Sequence, residues 1–550
     1  MKKICIFFSL VVFPFALAAQ APGWLWAKGN GGNNYDEGTS IVTDAAGNIY
    51  SCGSFYNDTI VVGTDTLRSA GLTDIFIAKS DANGNILWVR SAGGTDQEFP
   101  AAVTTDLFGN IYFTGTFSSN SITFGTTTLL NPNLGFPDIF LVKYDSNGNV
   151  LWARREGQSD YDYASSVTTD PVTGEAYVGG AFYANSITVG STTLPNNGMY
   201  DVLLIKYDIN GNPLWAKSSG GTLNDLGNAV TTDRFGNIYV DGGFASSSET
   251  FGATTLNNVN GGYPDIFLAK YSSAGNPIWA RSAGDSLNDH AVAIAADTNG
   301  NIFVAGHYHG TGFTFGTSTM VNNGMGDIFL LKYDSAGNAL WGRGEGGMDM
   351  DFGYSVAVDQ AGNSYFSGMF VSTTMTIGST TLTNASMDQD MFLVKYDPAG
   401  NAVWAIRGGG MGTDYINTVT LNSQGNLLAT GDFGSASILL GATTLTNKDT
   451  SGTTTDIFIG KLDVVTGEWI GANENNFMIY PNPSQGIFYL KNKSGKNYGL
   501  EIFNSTGEKI FSETESSDQA FINLQNYPSG IYFLRISEGE KIIADILIKE

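Results

Sequence analysis

Short apolar runs alternate with polar turns along most of this chain. The stretch TTDLFGNIYFTGTF, residues 104–117, places Asp-x-x-Gly-Asn before an apolar run, and a second such motif separates DIFLVKYD from VLWAR. Asp opens a turn through its side chain and Gly adopts the left-handed conformation, so each motif predicts a tight β-hairpin. Two hairpins predict four strands per unit. The second and third strands are apolar enough to be buried on both faces.

The unit repeats with a period of about 63 residues. The period is marked by tryptophans at intervals of 62 to 65 residues, with a weaker eighth copy at the end: Trp26, Trp88, Trp152, Trp215, Trp279, Trp341, Trp404 and Trp469. Such a period indicates a solenoid or a propeller. Four buried strands per unit favour an all-β, seven-bladed β-propeller, because radial repetition leaves only short, protected edges. A linear β-solenoid is the alternative.

The number of units also bears on how the ring closes. Seven third strands begin with an acid: Asp74, Asp138, Asp201, Asp265, Asp327, Asp390 and Asp456. The tryptophan strand occurs eight times, however. The surplus predicts that the N-terminal WLWAK segment completes the last blade and that Trp469 is displaced or leads outward.

The repeat DxxGNxYxxG followed by KYDxxGNxxW resembles the SBBP-type β-propeller repeat of secreted bacterial proteins. The resemblance covers about residues 24–470. It implies the fold and leaves the activity open, because propellers support both binding and catalysis.

The N-terminus has the pattern of a secretory signal. Two lysines precede an apolar run and the small-residue sequence Ala16-Leu17-Ala18, which predicts a signal peptide over residues 1–19. No later apolar stretch is long enough to span a bilayer. Cleavage would leave Cys52 as the one cysteine, so we expect no internal disulfide.

The C-terminus differs in composition from the repeats. A polar linker, residues 471–476, leads to residues 477–550, where period-two apolar runs broken by Pro, Ser and Gly turns predict a small β-sandwich. The segment resembles the C-terminal sorting domain of the type IX secretion system of Bacteroidota. The residues that carry this resemblance are Tyr480, Pro481, Asn482, Pro483, Gly486, Gly507 and Gly530. It implies handling by the type IX machinery, passage through the periplasm, and delivery to the outer cell surface or the medium.

The formal net charge of −25 comes largely from acidic residues that recur at fixed positions of the repeat. One acid per unit precedes the first strand: Asp36, Glu98, Asp162, Asp225, Asp289, Asp351 and Asp414. We expect these carboxylates at one mouth of the axial channel, where they could bind Ca²⁺. The interpretation that we favour is that they cap turns or pair with bases of the next blade. Basic residues recur at fixed positions as well and leave no basic patch, which argues against nucleic acid as a partner.

Residues that break the repeat are further candidates. His290, His307 and His309 all fall in the fifth unit, where they could bind a transition metal or simply pack. Asp241 and Asp432 replace small or neutral residues and could act as a glycosidase pair. Cys52 aligns with small residues and is expected to fill the core. We identify no residue as catalytic on these grounds.

These observations predict an exported binding or adhesion module, directed at glycans or another extracellular polymer. The reason is that the insertions between the second and third strands are long and polar, as ligand-binding loops often are. A polysaccharide-acting hydrolase or lyase is one alternative. A purely structural surface protein is the other.

Overall fold

The structure is a computed structural model that describes two parts of the chain. The first is residues 22–464 except 134, 385, 387 and 450–452. The second is residues 477–549 except 481–483, 485, 493–496, 505–508, 516–518 and 539–540. They belong to separate compact units, with Pro22–Val464 forming one of them. The predicted signal peptide, the linker and Trp469 lie outside the described residues.

The first unit is built from strands β1 to β42. Before the first repeat comes β1 (Trp24–Gly32). The first repeat contains β2 (Asp36–Thr43), β3 (Ile49–Tyr56), β4 (Thr59–Val62), β5 (Asp65–Arg68), β6 (Thr73–Ser80) and β7 (Ile86–Ala92). The second contains β8 (Glu98–Thr105), β9 (Ile111–Phe117), β10 (Ser121–Phe124), β11 (Thr127–Leu130), β12 (Asp138–Tyr144) and β13 (Val150–Glu156).

The next two repeats follow the same order of six strands. The third contains β14 (Asp162–Thr169), β15 (Ala176–Phe182), β16 (Ser186–Val189), β17 (Thr192–Pro195), β18 (Asp201–Tyr207) and β19 (Pro213–Ser219). The fourth contains β20 (Asp225–Thr232), β21 (Ile238–Phe244), β22 (Ser248–Phe251), β23 (Thr254–Asn257), β24 (Asp265–Tyr271) and β25 (Pro277–Ala283).

The last three repeats differ only in detail. The fifth contains β26 (Asp289–Ala296), β27 (Ile302–Tyr308), β28 (Thr314–Phe315), β29 (Ser318–Thr319), β30 (Asp327–Tyr333) and β31 (Ala339–Glu345). The sixth contains β32 (Asp351–Val358), β33 (Ser364–Phe370), β34 (Thr374–Ile377), β35 (Thr380–Thr383), β36 (Asp390–Tyr396) and β37 (Ala402–Gly408). The seventh contains β38 (Asp414–Leu421), β39 (Leu427–Phe433), β40 (Ser437–Leu440), β41 (Thr443–Thr446) and β42 (Asp456–Leu462).

Seven four-stranded antiparallel sheets form the blades of a propeller. In the first blade the order is β2-β3-β6-β7, and the other blades repeat it. Each first strand contacts the first strands of both neighbouring blades, and β38 contacts β2, so the ring is closed. The apolar cores lie between blades, as where Tyr112 of blade 2 packs with Val178 and Leu203 of blade 3. Cys52 belongs to such a core, and burial raises the pKa of its thiol.

The closing strand is the N-terminal one, as the surplus tryptophan strand predicted. Strand β1 pairs with β42, with Trp26 opposite Lys461, and its end also pairs with β4 of the first blade. A cavity of about 290 Å³ lies beside this seam and is lined in part by Lys28, Asn30 and Asn85.

The insertions between the second and third strands were only partly anticipated. The ITFGTTTL segment of each repeat forms its own two-stranded hairpin, such as β10–β11, so a repeat has six strands rather than four. Ile122 and Phe124 of this hairpin are buried in the core between blades. This part of the insertion is therefore structural and does not form a ligand-binding loop.

The signature residues of the repeat fasten neighbouring blades to each other. The indole of Trp152 donates to the carbonyl of Ile209 in the next blade's hairpin at 3.1 Å, and Lys143 donates to the same carbonyl at 3.3 Å. The Arg154 side chain donates to the Gly211 carbonyl at 2.7 Å. We call this arrangement the blade latch. Its indole-to-hairpin hydrogen bond recurs at Trp88, Trp215, Trp279 and Trp341.

The C-terminal unit is a small β-sandwich, as predicted. One sheet contains β43 (Phe477–Tyr480), β44 (Ile487–Asn492) and β47 (Gln519–Asn523). The other contains β45 (Tyr498–Phe503), β46 (Lys509–Glu515), β48 (Gly530–Glu538) and β49 (Lys541–Lys549). Phe488 and Ile522 of the first sheet share one core with Leu500 and Leu534 of the second.

Two glycines of the C-terminal unit have positive φ angles, Gly486 at 102° and Gly530 at 149°. Tyr480 ends the first strand of this unit. Pro481, Asn482, Pro483 and Gly507 lie outside the described residues.

The blade latch makes a prediction about two glycines with the same backbone conformation. Gly211 (φ 78°) and Gly109 (φ 79°) both occupy Asp-x-x-Gly-Asn turns. A Cβ at Gly211 would lie 2.7 Å from the Trp152 ring, whereas a Cβ at Gly109 would contact nothing. Both substitutions by Ala cost about 1–2 kcal/mol for the left-handed backbone. We expect Gly211→Ala to lose at least about 1 kcal/mol more, because it also overpacks the latch.

Urea unfolding of the full chain, followed by tryptophan fluorescence, measures the difference. Gly109→Ala is the matched control. Equal losses in the two variants would contradict a stabilising role for the latch.

Candidate functional site

The propeller has two different faces. Because the strands of a blade are antiparallel, its two Asp-x-x-Gly-Asn hairpins lie at one end, which we call the hairpin face. The loops between blades and the segments that enter the third strands lie at the other end, which we call the insertion face. The hairpin face carries the latch, so the insertion face is where residues can vary between blades.

The seven repeated acids begin the first strands rather than preceding them, and they lie buried on the insertion face. Each accepts a hydrogen bond from a backbone N–H four residues earlier, as Asp162 does from Gln158 at 2.7 Å. The other six pairs are Gly32 with Asp36, Gly94 with Glu98, Gly221 with Asp225, Asp285 with Asp289, Gly347 with Asp351, and Gly410 with Asp414. This geometry supports turn capping.

Burial has a strong effect on these carboxyl groups. Desolvation raises the pKa of Asp36 and of Asp289 to about 8, and it raises the pKa of Glu98 and of Asp162 to about 7. Among the described residues, no three His, Cys, Asp or Glu side chains are placed to hold a metal ion. Calcium binding by these acids stays a prediction.

A row of five aromatic rings crosses the insertion face from blade 2 to blade 3. Successive ring centroids are 5.1, 6.2, 5.8 and 5.0 Å apart in the order Phe136, Tyr161, Tyr163, Tyr200, Tyr183. We call these residues the aromatic row. Phe136, Tyr161 and Tyr183 are exposed by 36%, 37% and 37%.

Fixed elements hold the row in place. Tyr163 is the second residue of β14, and Tyr200 directly precedes β18. Tyr183 directly follows β15. Phe136 and Tyr161 lie in loops at the junction of blades 2 and 3. Three of the five rings therefore belong to, or directly adjoin, strands of blade 3.

Polar groups border the aromatic row. The backbone N–H of Tyr161 donates to the Asp160 carboxylate at 3.0 Å, and Ser159 and Asn197 are exposed beside the row. Rings with exposed faces and hydrogen-bonding groups at their edges suit a ligand that has both flat apolar faces and hydroxyl groups.

Sequence reasoning missed the aromatic row. The signal was present in QSDYDYASS and NNGMYD, where tyrosines occur next to the repeated acids Asp162 and Asp201. Their proximity depends on two loops and on the ends of three strands of blade 3, which the repeat pattern alone does not align.

Other large apolar side chains are also exposed on this face. Met348 and Met411, in the loops that enter blades 6 and 7, are exposed by 79% and 85%. Tyr35, Tyr263 and Met325 are exposed to a lesser degree. The insertion face thus exposes several large apolar side chains.

The three histidines lie together in blade 5, on the insertion face. His290 is directly opposite His307 on the neighbouring strand, and His309 follows two residues later. The ring centroids of His290 and His307 are 5.3 Å apart, and those of His307 and His309 are 5.5 Å apart. We call this group the histidine cluster. The His307 ring also packs on Phe352 of blade 6, at 4.7 Å.

The environment of the cluster keeps two imidazoles neutral. Burial, followed by the charge of His309, lowers the pKa of His290. Burial and the other two histidines lower the pKa of His307 to about 3. Nδ1 of His307 is buried without a hydrogen-bond partner, and His309 Nδ1 lies 3.3 Å from the Met325 carbonyl.

Asp241 and Asp432 are both buried in second strands, in blades 4 and 7 respectively. Asp241 accepts from the Ala229 N–H at 3.0 Å, and Asp432 accepts from the Gly38 N–H at 2.5 Å. Burial raises the pKa of both carboxyl groups well above the usual range. A glycosidase pair needs two carboxyl groups within about 5–10 Å on either side of a bond. The structure does not bring these two together, because other blades separate them.

The C-terminal unit can be compared with known families. Residues 478–550 match the secretion system C-terminal sorting domain. This match confirms the predicted type IX sorting domain and indicates export to the cell surface or the extracellular space. No helix among the described residues has the length and apolar character of a membrane span.

The repeats have distant relatives. The chain is 24% identical to an uncharacterized WD repeat-containing protein of Acanthamoeba polyphaga mimivirus, over 79% of this chain and 38% of that protein. It is 23% identical to the regulatory protein FlaEY of Caulobacter vibrioides, over 44% of this chain and 27% of that protein. The chain thus spans less than half the length of these relatives.

A solved structure of a puromycin hydrolase mutant is also similar. Its TM-score is 0.41 and its identity is 10%, over 75% of this chain and 55% of that chain. Nothing about activity follows from a likeness at this level.

The buried acids make a prediction about pH. A carboxyl group whose pKa is about 8 when folded, like that of Asp289, keeps its proton in the native state and loses it in the unfolded state between about pH 4 and pH 8. The stabilisation is therefore complete below about pH 4 and is lost as pH rises through about 8. We expect the full chain to melt at a lower temperature at about pH 8.5 than at about pH 5.5.

Asp289→Asn should reduce this pH-dependent drop, because an amide does not titrate. Asp81→Asn is the matched control, since hydrogen bonds from Asn85 lower the pKa of Asp81 and place its titration outside this window. A drop of the same size in Asp289→Asn and in the unmodified chain would contradict the assignment.

Proposed function

We propose that this protein is an exported surface protein whose propeller binds a neutral extracellular glycan through the aromatic row. The sorting domain accounts for the export. We also propose that residues 1–19 are a signal peptide, that the protein passes through the periplasm, and that the repeat is of the SBBP type. The aromatic row is the observation that carries the binding role.

The chemistry of the row favours a carbohydrate. The apolar faces of sugar rings stack on aromatic side chains, and their hydroxyl groups form hydrogen bonds at the ring edges. Five rings in succession, linked by centroid distances of 5.0 to 6.2 Å, offer more than one stacking position. This repetition fits a polymer better than a small molecule.

The net charge of the protein favours one class of glycan as the ligand. The chain carries a formal net charge of −25, and lysines such as Lys143 and Lys206 are buried in the latch. An anionic polysaccharide would be repelled by this field. The proposal therefore favours an uncharged polymer.

The alternatives are supported less well. Asp241 and Asp432, the two carboxyl groups considered for a polysaccharide hydrolase or lyase, are buried in blades other than those of the row. A purely structural surface protein does not account for the exposed rings.

Binding to an array of neutral glycans, with product release measured in parallel, tests the proposal. We expect Tyr161→Ala with Tyr183→Ala to weaken binding of the best glycan by about tenfold or more, equivalent to about 1.4 kcal/mol. Phe235→Ala is the matched control, because Phe235 is an aromatic residue exposed by 61% on the hairpin face.

Three outcomes would overturn the proposal. One is the absence of saturable binding to any neutral glycan, which the structural alternative predicts. Another is an equal loss in Phe235→Ala. The third is the release of products, which would favour the enzyme alternative.

A further inference from the structure

We propose that the histidine cluster of blade 5 binds one divalent transition-metal ion, such as Zn²⁺, with its imidazole nitrogens as ligands. This site is separate from the aromatic row and does not depend on glycan binding. His290 and His307 lie opposite each other on β26 and β27, and His309 directly follows β27.

The spacing of two of the three ring pairs fits shared coordination. Two imidazoles bound to one tetrahedral zinc ion have ring centroids about 5.2 Å apart, because Zn–N bonds are about 2.0–2.1 Å long. The observed separations are 5.3 Å for His290 and His307, and 5.5 Å for His307 and His309. Aromatic packing alone permits a wider range, about 4.5–7 Å.

The middle imidazole has a free ligand atom. His307 Nδ1 is buried and has no hydrogen-bond partner, although buried nitrogen atoms are normally paired. A metal ion would satisfy it. Imidazole ligands are suited to Zn, Cu, Fe and Ni.

One side chain has to move for all three rings to surround the ion. His309 Nδ1 now lies 3.3 Å from the Met325 carbonyl, and the three rings do not yet converge on one point. Rotation of the half-buried His309 side chain would exchange this carbonyl for the metal. We therefore expect the His309 ligand to move into place only when the ion binds.

The composition of the chain makes the test clear. These are the three histidines of the whole sequence, so any imidazole-bound metal must lie in this cluster. Other blades also have different side chains at the positions equivalent to these histidines, and these side chains are suitable substitutions because the fold already contains them. Phe352 occupies the position of His290 in blade 6, and Tyr183 occupies the position of His309 in blade 3.

The experiment is a calorimetric titration of the metal-stripped full chain with Zn²⁺, together with electron paramagnetic resonance after loading with Cu²⁺. We expect one ion per chain and a Cu²⁺ signal split by imidazole nitrogen. His290→Phe and His309→Tyr should each weaken Zn²⁺ binding at least tenfold. Phe352→Tyr, which keeps a ring and all three histidines, should leave it unchanged.

Two results would overturn the inference. If Zn²⁺ does not bind saturably, the rings only pack against one another. If both histidine variants bind Zn²⁺ as the unmodified chain does, the ion lies on carboxylates elsewhere.

Discussion

The contact on which the propeller depends is that of a tryptophan with the glycine of the next blade's hairpin. The Trp152 indole covers Gly211 so closely that no Cβ fits between them, and the same contact joins Trp26 to Gly84 across the closing seam. Lys143 and Arg154 donate to carbonyls of the same hairpin. Since neighbouring blades are held together in this way in the described part of the ring, the tryptophan, lysine and glycine recur along the repeats.

This constraint explains why the sequence predicts the fold better than the site. The hairpin motifs, the period and the surplus N-terminal strand depend on local turn chemistry and counting, so they were predicted correctly. The extra hairpin within each insertion was missed, because ITFGTTTL has a turn glycine but is short and polar on one side. Gly125, with a φ of 58°, is the residue that identifies it.

The candidate site was harder to predict for a different reason. The repeated acids were recognised, but their burial was not, because a sequence does not show that a loop folds over Asp162 and donates its N–H groups inward. The aromatic row joins residues from two blades, and no single repeat contains it. The histidine cluster was visible, since His307 lies near the end of a strand and His309 follows two residues later.

The two faces of the propeller thus have different roles. Residues that repeat stabilise the ring on the hairpin face, between blades and, as turn-capping acids, on the insertion face. Residues that differ between blades collect on the insertion face, where Tyr161 and Tyr183 expose their rings. The central claim is that ligands are bound by the residues that differ and not by those that repeat.

Hydrogen exchange of the full chain, with and without a saturating neutral glycan, tests this claim most directly. The account predicts added protection of backbone amides in residues 157–163 and 196–201, which carry the aromatic row. It predicts no change in the hairpins of residues 145–149 and 208–212. Protection of those hairpins, with none along the row, would contradict it.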